Sequence, residues 1–280
     1  DMGCQPHQGA GYFEVADEKN QKFYTEKYGV THPTKAGLKI PQMFEAAINK
    51  ELKGLWIIGE DIVQTDPNSA HVVEAMNSLE LLVVQEIFMS ETAKLATVVL
   101  PGTTFLEKDG TFTNTERRIQ RVNRAVPPLP GTKPDGLIVT DMMQKLGFDQ
   151  PTYDADQVLG EIADVVPFFK GVTRERLGKL GLQWPVKEDG TDTQILHTES
   201  FKLGKGRLKN FDWKESSEIE ANQKDYPLIL TTSRVLQHYN AATMTRRTKN
   251  INIVDEDVLL IHPKDAAYRD LNTGDIGRLY

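Results

Sequence analysis

Short apolar runs alternate with amphipathic segments along the first part of the chain. Residues 43–48 carry apolar side chains at helical spacing and precede the apolar run 55–58, which predicts a buried strand. Residues 72–79 repeat the helical spacing, and the runs 81–84 and 96–100 predict two further buried strands. This order predicts an α/β fold with a parallel sheet, which we expect to be covered on both faces.

Polar residues concentrate where the predicted strands end. In open parallel sheets, ligands bind beyond the carboxyl ends of the strands. The loops after Ile58, Val84 and Leu100 are therefore the predicted ligand site of an α/β region that spans residues 1–150.

The later parts of the chain have a different pattern. A helix predicted over 138–146 ends the α/β region. Residues 151–222 alternate short helical pieces with glycine, proline and charged residues, which predicts an irregular extension and linker. Residues 223–280 contain the β-type runs 226–230 and 258–261, so we expect a separate β domain to begin there.

Composition narrows the class of partner. The 33 basic and 40 acidic residues give a net charge of −7, which argues against nucleic acid and favours small molecules or proteins. No run approaches the roughly 20 apolar residues of a membrane-spanning helix. Cys4 is the single cysteine, so it forms neither an internal disulfide nor a four-cysteine metal site.

Neither end of the sequence has the features of a natural terminus. The first residue is Asp1 rather than methionine, and no export signal follows it. Residues 271–280 stop in a predicted strand that follows a Thr-Gly-Asp turn. We therefore expect truncation at both ends.

The densest polar stretch is residues 107–118, Glu-Lys-Asp-Gly-Thr-Phe-Thr-Asn-Thr-Glu-Arg-Arg. Gly110 permits a positive φ or a close backbone approach, and side chains such as Thr111 offer donors and acceptors to a polar ligand. A solvated loop that leads into an arginine-rich helix start explains the same composition.

Two other predicted strand ends carry acidic or amide side chains. Gly59, Glu60 and Asp61 follow the first strand, where the carboxylates are suited to accept hydrogen bonds from ribose hydroxyls or a guanine N–H edge. A turn with a helix N-cap is the simpler alternative. Gln85 and Glu86, after the second strand, leave the same choice open.

Residues 231–247 place hydroxyl groups, His238 and three arginines directly after a predicted strand. Arginine and hydroxyl side chains hold phosphate groups well, whereas a single histidine is more often structural than a ligand or base. No Ser/His/Asp, HExxH or phosphate-loop pattern is present. The residues by themselves therefore predict a polar nucleotide site and no catalytic group.

Four blocks, taken in their order and spacing, resemble the molybdopterin oxidoreductase family. They are residues 1–3; residues 59–67; residues 82–93 with 98–101 and 107–118; and residues 230–239 with 243–247. The Glu-Lys-Asp-Gly-Thr-Phe-Thr-Asn sequence in the third block is shared with nitrate reductases and the large subunit of respiratory NADH dehydrogenase. The second block is more similar to formate dehydrogenase catalytic subunits than to periplasmic nitrate reductases, and the Glu-Arg-Arg of 116–118 departs from the Glu-Gly-Arg usual in the NADH dehydrogenase subunit. The resemblance therefore favours formate dehydrogenase.

The resemblance implies that the intact protein oxidises formate to carbon dioxide, or runs the reverse reaction. Two molybdopterin guanine dinucleotides would hold one molybdenum or tungsten ion. The selenocysteine or cysteine ligand of that ion, its neighbouring histidine, the arginine that positions formate and an iron-sulfur cluster are implied upstream of residues 1–3. We therefore expect no catalytic or metal-ligating residue in this chain, Cys4 included, and expect the chain alone to be inactive and able to exist without cofactor.

What the resemblance transfers to this chain is nucleotide binding by an α/β region and by the start of a truncated C-terminal β-barrel. The implied contacts are Gly59, Glu60, Asp61, Thr65, Asp66, Gln85, Glu86, Gly110, Thr111 and Asp135 from the first region, and Thr232, Arg234, Val235, His238 and Tyr239 from the second. The family commonly has aspartate where this chain has Glu86, and the longer carboxylate would shift or weaken that contact.

The implied partners are formate and the electron-transfer subunits or redox carriers of the intact enzyme, with no nucleic acid. A cytoplasmic location is expected, or a periplasmic one if an upstream signal exists. Two alternatives remain: another molybdopterin oxidoreductase such as a nitrate reductase, and a non-catalytic subunit that binds pterin or nucleotide or docks a partner.

Overall fold

The computed structural model describes residues 5–279, without the side chains of residues 218 and 222. The first resembling block, residues 1–3, and Cys4 lie outside the described residues. The chain divides into two compact units, the first running to Asn210 and the second beginning at Phe211.

The strands lie in the first unit. They are β1 (Gln8–Gly9), β2 (Phe13–Glu14), β3 (Gly54–Ile58), β4 (Leu81–Glu86), β5 (Val98–Pro101), β6 (Gly110–Thr113), β7 (Arg118–Val122) and β8 (Leu182–Gln183). β1 and β2 pair as a short antiparallel ribbon, and the other strands form two sheets of three.

Helices separate most of these strands. They are α1 (Glu18–Tyr28), α2 (Ile40–Ile48), α3 (Ile62–Thr65), α4 (Ser69–Ser78), α5 (Glu91–Lys94), α6 (Asp135–Lys145), α7 (Ala155–Val165), α8 (Arg174–Leu177), α9 (Ser217–Asn222) and α10 (Pro263–Tyr268). Single 3-10 turns occupy Ala10–Tyr12, Phe105–Glu107, Pro167–Phe169, Thr245–Arg247 and Lys249–Asn252.

The predicted parallel sheet is confirmed, with β4 between β3 and β5. Ile57, Val84 and Val99 are aligned across the three strands and lie on one face. That face packs against Phe44 of α2 and Met76 of α4 in a continuous apolar core. Each large aliphatic side chain buried in this way contributes about 1.5–3 kcal/mol, so the alternating pattern of β4 determines which face is inward.

The opposite face of the parallel sheet is covered less completely. Trp56, Val83 and Leu100 are half-buried, while Ile58 and Val98 are 49% and 43% exposed. The expectation that both faces are covered is therefore wrong for the described chain. The apolar runs predicted strands correctly but could not show how much of each face this chain covers.

The second three-stranded sheet is antiparallel and contains a hairpin that the sequence did not reveal. Its strands β6 and β7 pair with Thr113 opposite Ile119, and β8 adds to the outer edge of β7. The helix start considered for residues 107–118 is thus wrong. Asn114 closes the hairpin because its side-chain oxygen accepts hydrogen bonds from the backbone N–H groups of Glu116 and Arg118.

A second apolar core lies under this hairpin. Ile119 of β7 packs with Leu159 of α7, Phe169 and Leu177 of α8, all almost fully buried. The predicted irregular extension therefore supplies one wall of a core whose other wall is the hairpin. The domain boundary predicted at residue 150 falls inside the first compact unit.

The second unit contains helices and turns but no strand among its described residues. The runs 226–230 and 258–261, and the described part of 271–280, were predicted as strands and do not form them. A strand is stable only when a neighbour satisfies its backbone groups, and the described residues supply no such neighbour. Leu230 and Leu260 are 63% and 87% exposed accordingly.

Within residues 5–279, no helix combines the length and the apolar character that crossing a membrane requires.

Arg117 joins the hairpin to the segment that follows β8. Its guanidinium donates to the backbone oxygens of Trp184, Thr193 and Gln194, the last two at 3.0 Å, and lies 5.8 Å from the centre of the Trp184 ring. The residue adopts a left-handed φ of 65°, which costs a non-glycine residue about 1 kcal/mol. The contacts of the side chain offset this strain.

We expect Arg117→Ala to lower the free energy of unfolding of the first unit by about 1–3 kcal/mol, because three carbonyl groups lose their donor. Arg117→Gly should cost less than Arg117→Ala, since glycine tolerates the positive φ. Urea denaturation of the two variants measures the difference. Equal stability of both variants and the wild type would show that the side-chain contacts of Arg117 contribute nothing to the free energy of unfolding.

Candidate functional site

Backbone hydrogen bonds hold the carboxyl ends of the three parallel strands together. The N–H of Gly59 donates to the carbonyl of Gln85 at 2.9 Å, and the N–H of Gly102 donates to the carbonyl of Glu86 at 3.0 Å. Gly59 has a φ of 64°, a conformation that glycine adopts without strain and that turns the chain away from β3. The polar residues that end β4 and those that follow β3 and β5 therefore meet at one edge of the sheet, as the sequence predicted.

A buried amide and an ion pair form the centre of this edge. The Gln85 side chain is fully buried and donates from Nε2 to Oδ1 of Asp135 at 2.8 Å. Oδ2 of the same carboxylate forms an ion pair with Nζ of Lys108. Asp135 is the first residue of α6, so three elements distant in sequence meet in one contact network.

Asp135 is ionised in this network. Burial opposes ionisation, but hydrogen bonds from Lys108 and Gln85 and the positive charge of Lys108 outweigh it and hold the pKa of Asp135 below its usual value. A carboxylate that only accepts hydrogen bonds determines how the Gln85 amide is turned, since Nε2 must face it.

The orientation of the amide leaves an acceptor free. Oε1 of Gln85 is buried and has no hydrogen-bond partner among the described residues, and the same holds for Oγ1 of Thr103, which follows β5. An unsatisfied buried polar atom costs about 1–3 kcal/mol, so such atoms usually have a partner from outside the chain. An N–H donor of a ligand would satisfy Gln85 Oε1.

Asp61 is placed differently from its neighbours in the same loop. It is buried, and its carboxylate accepts from the backbone N–H and the hydroxyl of Thr92, at 3.0 and 2.7 Å, and from the amide of Gln64. Both carboxylate oxygens are used within the protein. Asp61 therefore braces the loop after β3 against the start of α5.

Glu60, Thr65 and Asp66 form a small group at the same loop. The hydroxyl of Thr65 donates to Oε1 of Glu60 at 3.0 Å. Burial and the nearby negative charge of Glu60 raise the pKa of Asp66. Glu60 is exposed and the other two are half-buried, so their free oxygens remain open to a ligand.

The remaining predicted residues of the first unit have distinct surroundings. Oε1 of Glu86 accepts from the backbone N–H of Ile87 at 2.7 Å. Gly110 and Thr111 line a cavity of about 200 Å³ together with Lys108, Asp135 and Tyr153. No atom lies within 4 Å of a Cβ built on Gly110, so no protein contact requires glycine there.

Among the predicted residues of the second unit, His238 is held by hydrogen bonds and the others are exposed. His238 contacts the carbonyl of Val254 through Nε2 at 2.7 Å and the hydroxyl of Thr245 through Nδ1 at 3.0 Å. A carbonyl oxygen only accepts hydrogen bonds, so the contact with Val254 is donated by Nε2–H. The remaining predicted residues are exposed: Thr232, Arg234, Val235 and Tyr239.

Lys108 is a site residue that sequence reasoning missed. Its block was recognised, but the lysine was not singled out from its five charged neighbours. Its position two residues before β6 gave a signal, because a cation near buried strand ends is expected to have an acidic partner. That partner, Asp135, was predicted without it.

Among the described residues, no group of three or more histidine, cysteine, aspartate or glutamate side chains is arranged to hold a metal ion. The polar network at the sheet edge contains instead a free amide acceptor, a cation and carboxylates. Fold and site together define an α/β protein with a polar cluster at the carboxyl edge of its parallel sheet.

Comparison with known proteins identifies the family. Residues 7–145 match the molybdopterin oxidoreductase family, and residues 228–280 match the molybdopterin dinucleotide-binding domain. The chain belongs to the molybdopterin oxidoreductase family.

Relatives with curated names extend the match over nearly the whole chain. The F420-dependent formate dehydrogenase subunit alpha of Methanocaldococcus jannaschii is 41% identical over 280 residues, which cover 99% of this chain and 41% of that protein. The F420-dependent formate dehydrogenase 1 subunit alpha of Methanococcus maripaludis is 41% identical over 95% of this chain and 40% of its own length. The chain thus spans about two fifths of these relatives.

A solved structure supports the fold. Acetylene hydratase from Pelobacter acetylenicus superposes with a TM-score of 0.62 at 20% sequence identity, over 91% of this chain and 38% of that protein. At this identity the likeness concerns the fold alone.

We expect Asp135→Asn to lower the free energy of unfolding by about 1–2 kcal/mol at neutral pH, a value discounted because the Asp135 side chain is 39% exposed. The folded-state pKa lies below the unfolded value, so this contribution is complete above about pH 5 and is lost as pH falls through and below about 3.9. Urea denaturation of the wild type and of Asp135→Asn between pH 3 and 7 measures the difference in their free energies of unfolding. A difference that stays constant down to pH 3 would contradict the role of the ionised carboxylate.

Proposed function

We propose that this chain is the nucleotide-holding part of a formate dehydrogenase catalytic subunit. The intact protein oxidises formate to carbon dioxide and passes two electrons to partner subunits or redox carriers. The observation that carries the proposal is the buried Gln85 amide, whose Nε2 is fixed by Asp135 and whose Oε1 has no partner in the described chain. The similarity to formate dehydrogenase α subunits supplies the reaction.

The residues present fit the guanine dinucleotide arms of a molybdopterin cofactor. When bound, this cofactor supplies two-electron chemistry at a molybdenum or tungsten ion, and an upstream iron-sulfur cluster relays the electrons. Oε1 of Gln85 accepts a hydrogen bond from an N–H group of the base. Lys108, whose side chain is 26% exposed, offers a cation to phosphate. Within the second unit, exposed Arg234 also carries a cation suited to phosphate.

The predicted contacts fall into two roles within this proposal. Asp61, Asp135 and His238 act as braces, since their side-chain polar atoms are already bonded within the protein. The direct contacts are assigned to residues with free polar groups or open surroundings: Gly59, Glu60, Thr65, Asp66, Gln85, Glu86, Lys108, Gly110, Thr111, Thr232, Arg234, Val235 and Tyr239.

We assign the second unit to the beginning of the C-terminal β-barrel. The match of residues 228–280 to the dinucleotide-binding domain supports this assignment. The runs 226–230 and 258–261 would become strands once partner strands satisfy their backbone groups. The α/β region 1–150 and the linker 151–222 precede it, and a cytoplasmic location of the intact protein completes the proposal.

Replacing Lys108 tests the nucleotide site. Guanosine 5′-diphosphate serves as a probe for the nucleotide arm in isothermal titration of the full 280-residue chain. We expect Lys108→Ala to weaken its binding about tenfold to a hundredfold, because a charge-assisted hydrogen bond contributes about 1.5–3 kcal/mol.

The matched control is Lys53→Ala. Lys53 forms an exposed ion pair with Glu80 at 3.0 Å and precedes the amino end of β3, so its loss should leave the affinity unchanged. Equal affinities of wild type and Lys108→Ala for guanosine 5′-diphosphate would refute the site.

A second test concerns the reaction. We expect the purified 280-residue chain to show no formate-dependent dye reduction, because the proposed metal ligand, its histidine and the formate-binding arginine are all assigned upstream. The readout is reduction of a viologen dye with formate, with a full-length formate dehydrogenase as positive control. Turnover by the chain without added subunits would overturn the assignment.

A further inference from the structure

We propose that Glu107 is a positioning residue that sets Lys108 against Asp135. Its importance for cofactor binding rests on the function proposed above. Glu107 belongs to the polar block 107–118, but none of the predicted contacts included it.

Glu107 is a buried carboxylate with all its hydrogen bonds inside the protein. The residue is 7% exposed. Oε2 accepts from the backbone N–H and the hydroxyl of Thr104, at 2.9 and 2.8 Å, and Oε1 accepts from the backbone N–H of Leu129 at 2.9 Å. The side chain therefore closes the 3-10 turn Phe105–Glu107 and ties it to the loop after β7.

The residues on either side of Glu107 are tied to the same loop. The carbonyl of Leu106 accepts from the N–H groups of Ala125 and Val126, at 2.8 and 3.1 Å. Oδ1 of Asp109 accepts from the N–H of Arg124 at 3.0 Å. Lys108 lies between these anchors, and its side chain extends to Asp135 instead.

The loop bound by Glu107 also leads to Asp135. The N–H of Thr132 donates to the carbonyl of Leu129, and the N–H of Lys133 donates to the carbonyl of Pro101, both at 3.1 Å. α6 then begins at Asp135. The hydrogen bond from Leu129 to Glu107 therefore fixes the spacing between both partners of the ion pair.

The charge of Glu107 suits this role. Hydrogen bonds from Thr104 and Leu129 hold its pKa below the usual value, so the group is ionised and presents acceptors only. A glutamine has nearly the same shape but replaces one acceptor by an NH₂ group, which would face an N–H or O–H donor. Glu107→Gln thus loosens the turn without changing the volume of the site.

The titration of Asp135 tests positioning directly, without any nucleotide. In the full chain, NMR of the Asp135 carboxyl carbon should show that Glu107→Gln raises the pKa of Asp135 toward that of an ordinary aspartate, about 3.9. Lys108→Ala should raise it at least as far. In the double variant, Glu107→Gln should add nothing, because the group through which it acts is gone.

Two further variants separate positioning from general stability. Glu116→Gln changes an exposed glutamate of the same block, whose side chain is 61% exposed, and should leave the pKa of Asp135 unchanged. Thr104→Val removes one of the three hydrogen bonds and keeps the backbone donor, so it gives a smaller rise and remains usable if Glu107→Gln fails to fold.

The inference is overturned if both Glu107→Gln and Thr104→Val leave the pKa of Asp135 unchanged, or if Glu107→Gln still raises it in the Lys108→Ala background. The consequence for binding is measured with guanosine 5′-diphosphate, for which we expect Glu107→Gln to lower the affinity about threefold to tenfold. If Glu107→Gln raises the pKa of Asp135 while Lys108→Ala binds guanosine 5′-diphosphate as tightly as the wild type does, the positioning role is supported and the nucleotide site is refuted.

Discussion

A buried amide that must be hydrogen-bonded organises the candidate site. The side chain of Gln85 is buried at the carboxyl edge of the parallel sheet, where its Nε2 donates a hydrogen bond to Oδ1 of Asp135. The carboxylate is itself partly removed from water and requires a cation, which Lys108 supplies. Lys108 in turn depends on a turn that hydrogen bonds hold against the loop leading to Asp135. Each buried polar group in this series therefore needs a partner, and the next residue in the series supplies it.

The acidic residues of the family motifs have unequal roles in this arrangement. Asp61 and Glu107 are buried, and their oxygens bind donors of the protein's own loops. Glu60 and Asp66 remain open to solvent on at least part of their surface. A motif residue can therefore be essential to a binding loop without contacting the ligand, because a buried carboxylate is a strong brace for backbone N–H groups.

Secondary structure in the two units depends on different partners. The parallel sheet has its own core, formed by α2, α4 and the inward side chains of β3 to β5. The runs 226–230 and 258–261 have strand-like sequences but no strand partner among the described residues. The chain spans about two fifths of its formate dehydrogenase relatives, so such segments are to be understood in the context of the longer proteins that they resemble.

By itself the sequence determined the parallel strands, the helices between them and the edge at which polar residues gather, because hydrophobic periodicity reports local burial directly. It also determined the family, through the order and spacing of its polar blocks. The tertiary structure decided the hairpin formed by β6 and β7, the incomplete cover of the sheet and the role of each polar side chain. Whether Asp61 braces a loop, or Lys108 meets Asp135, depends on contacts between residues far apart in the chain. No local pattern specifies such contacts, since the same side chain can bond either the protein or a ligand.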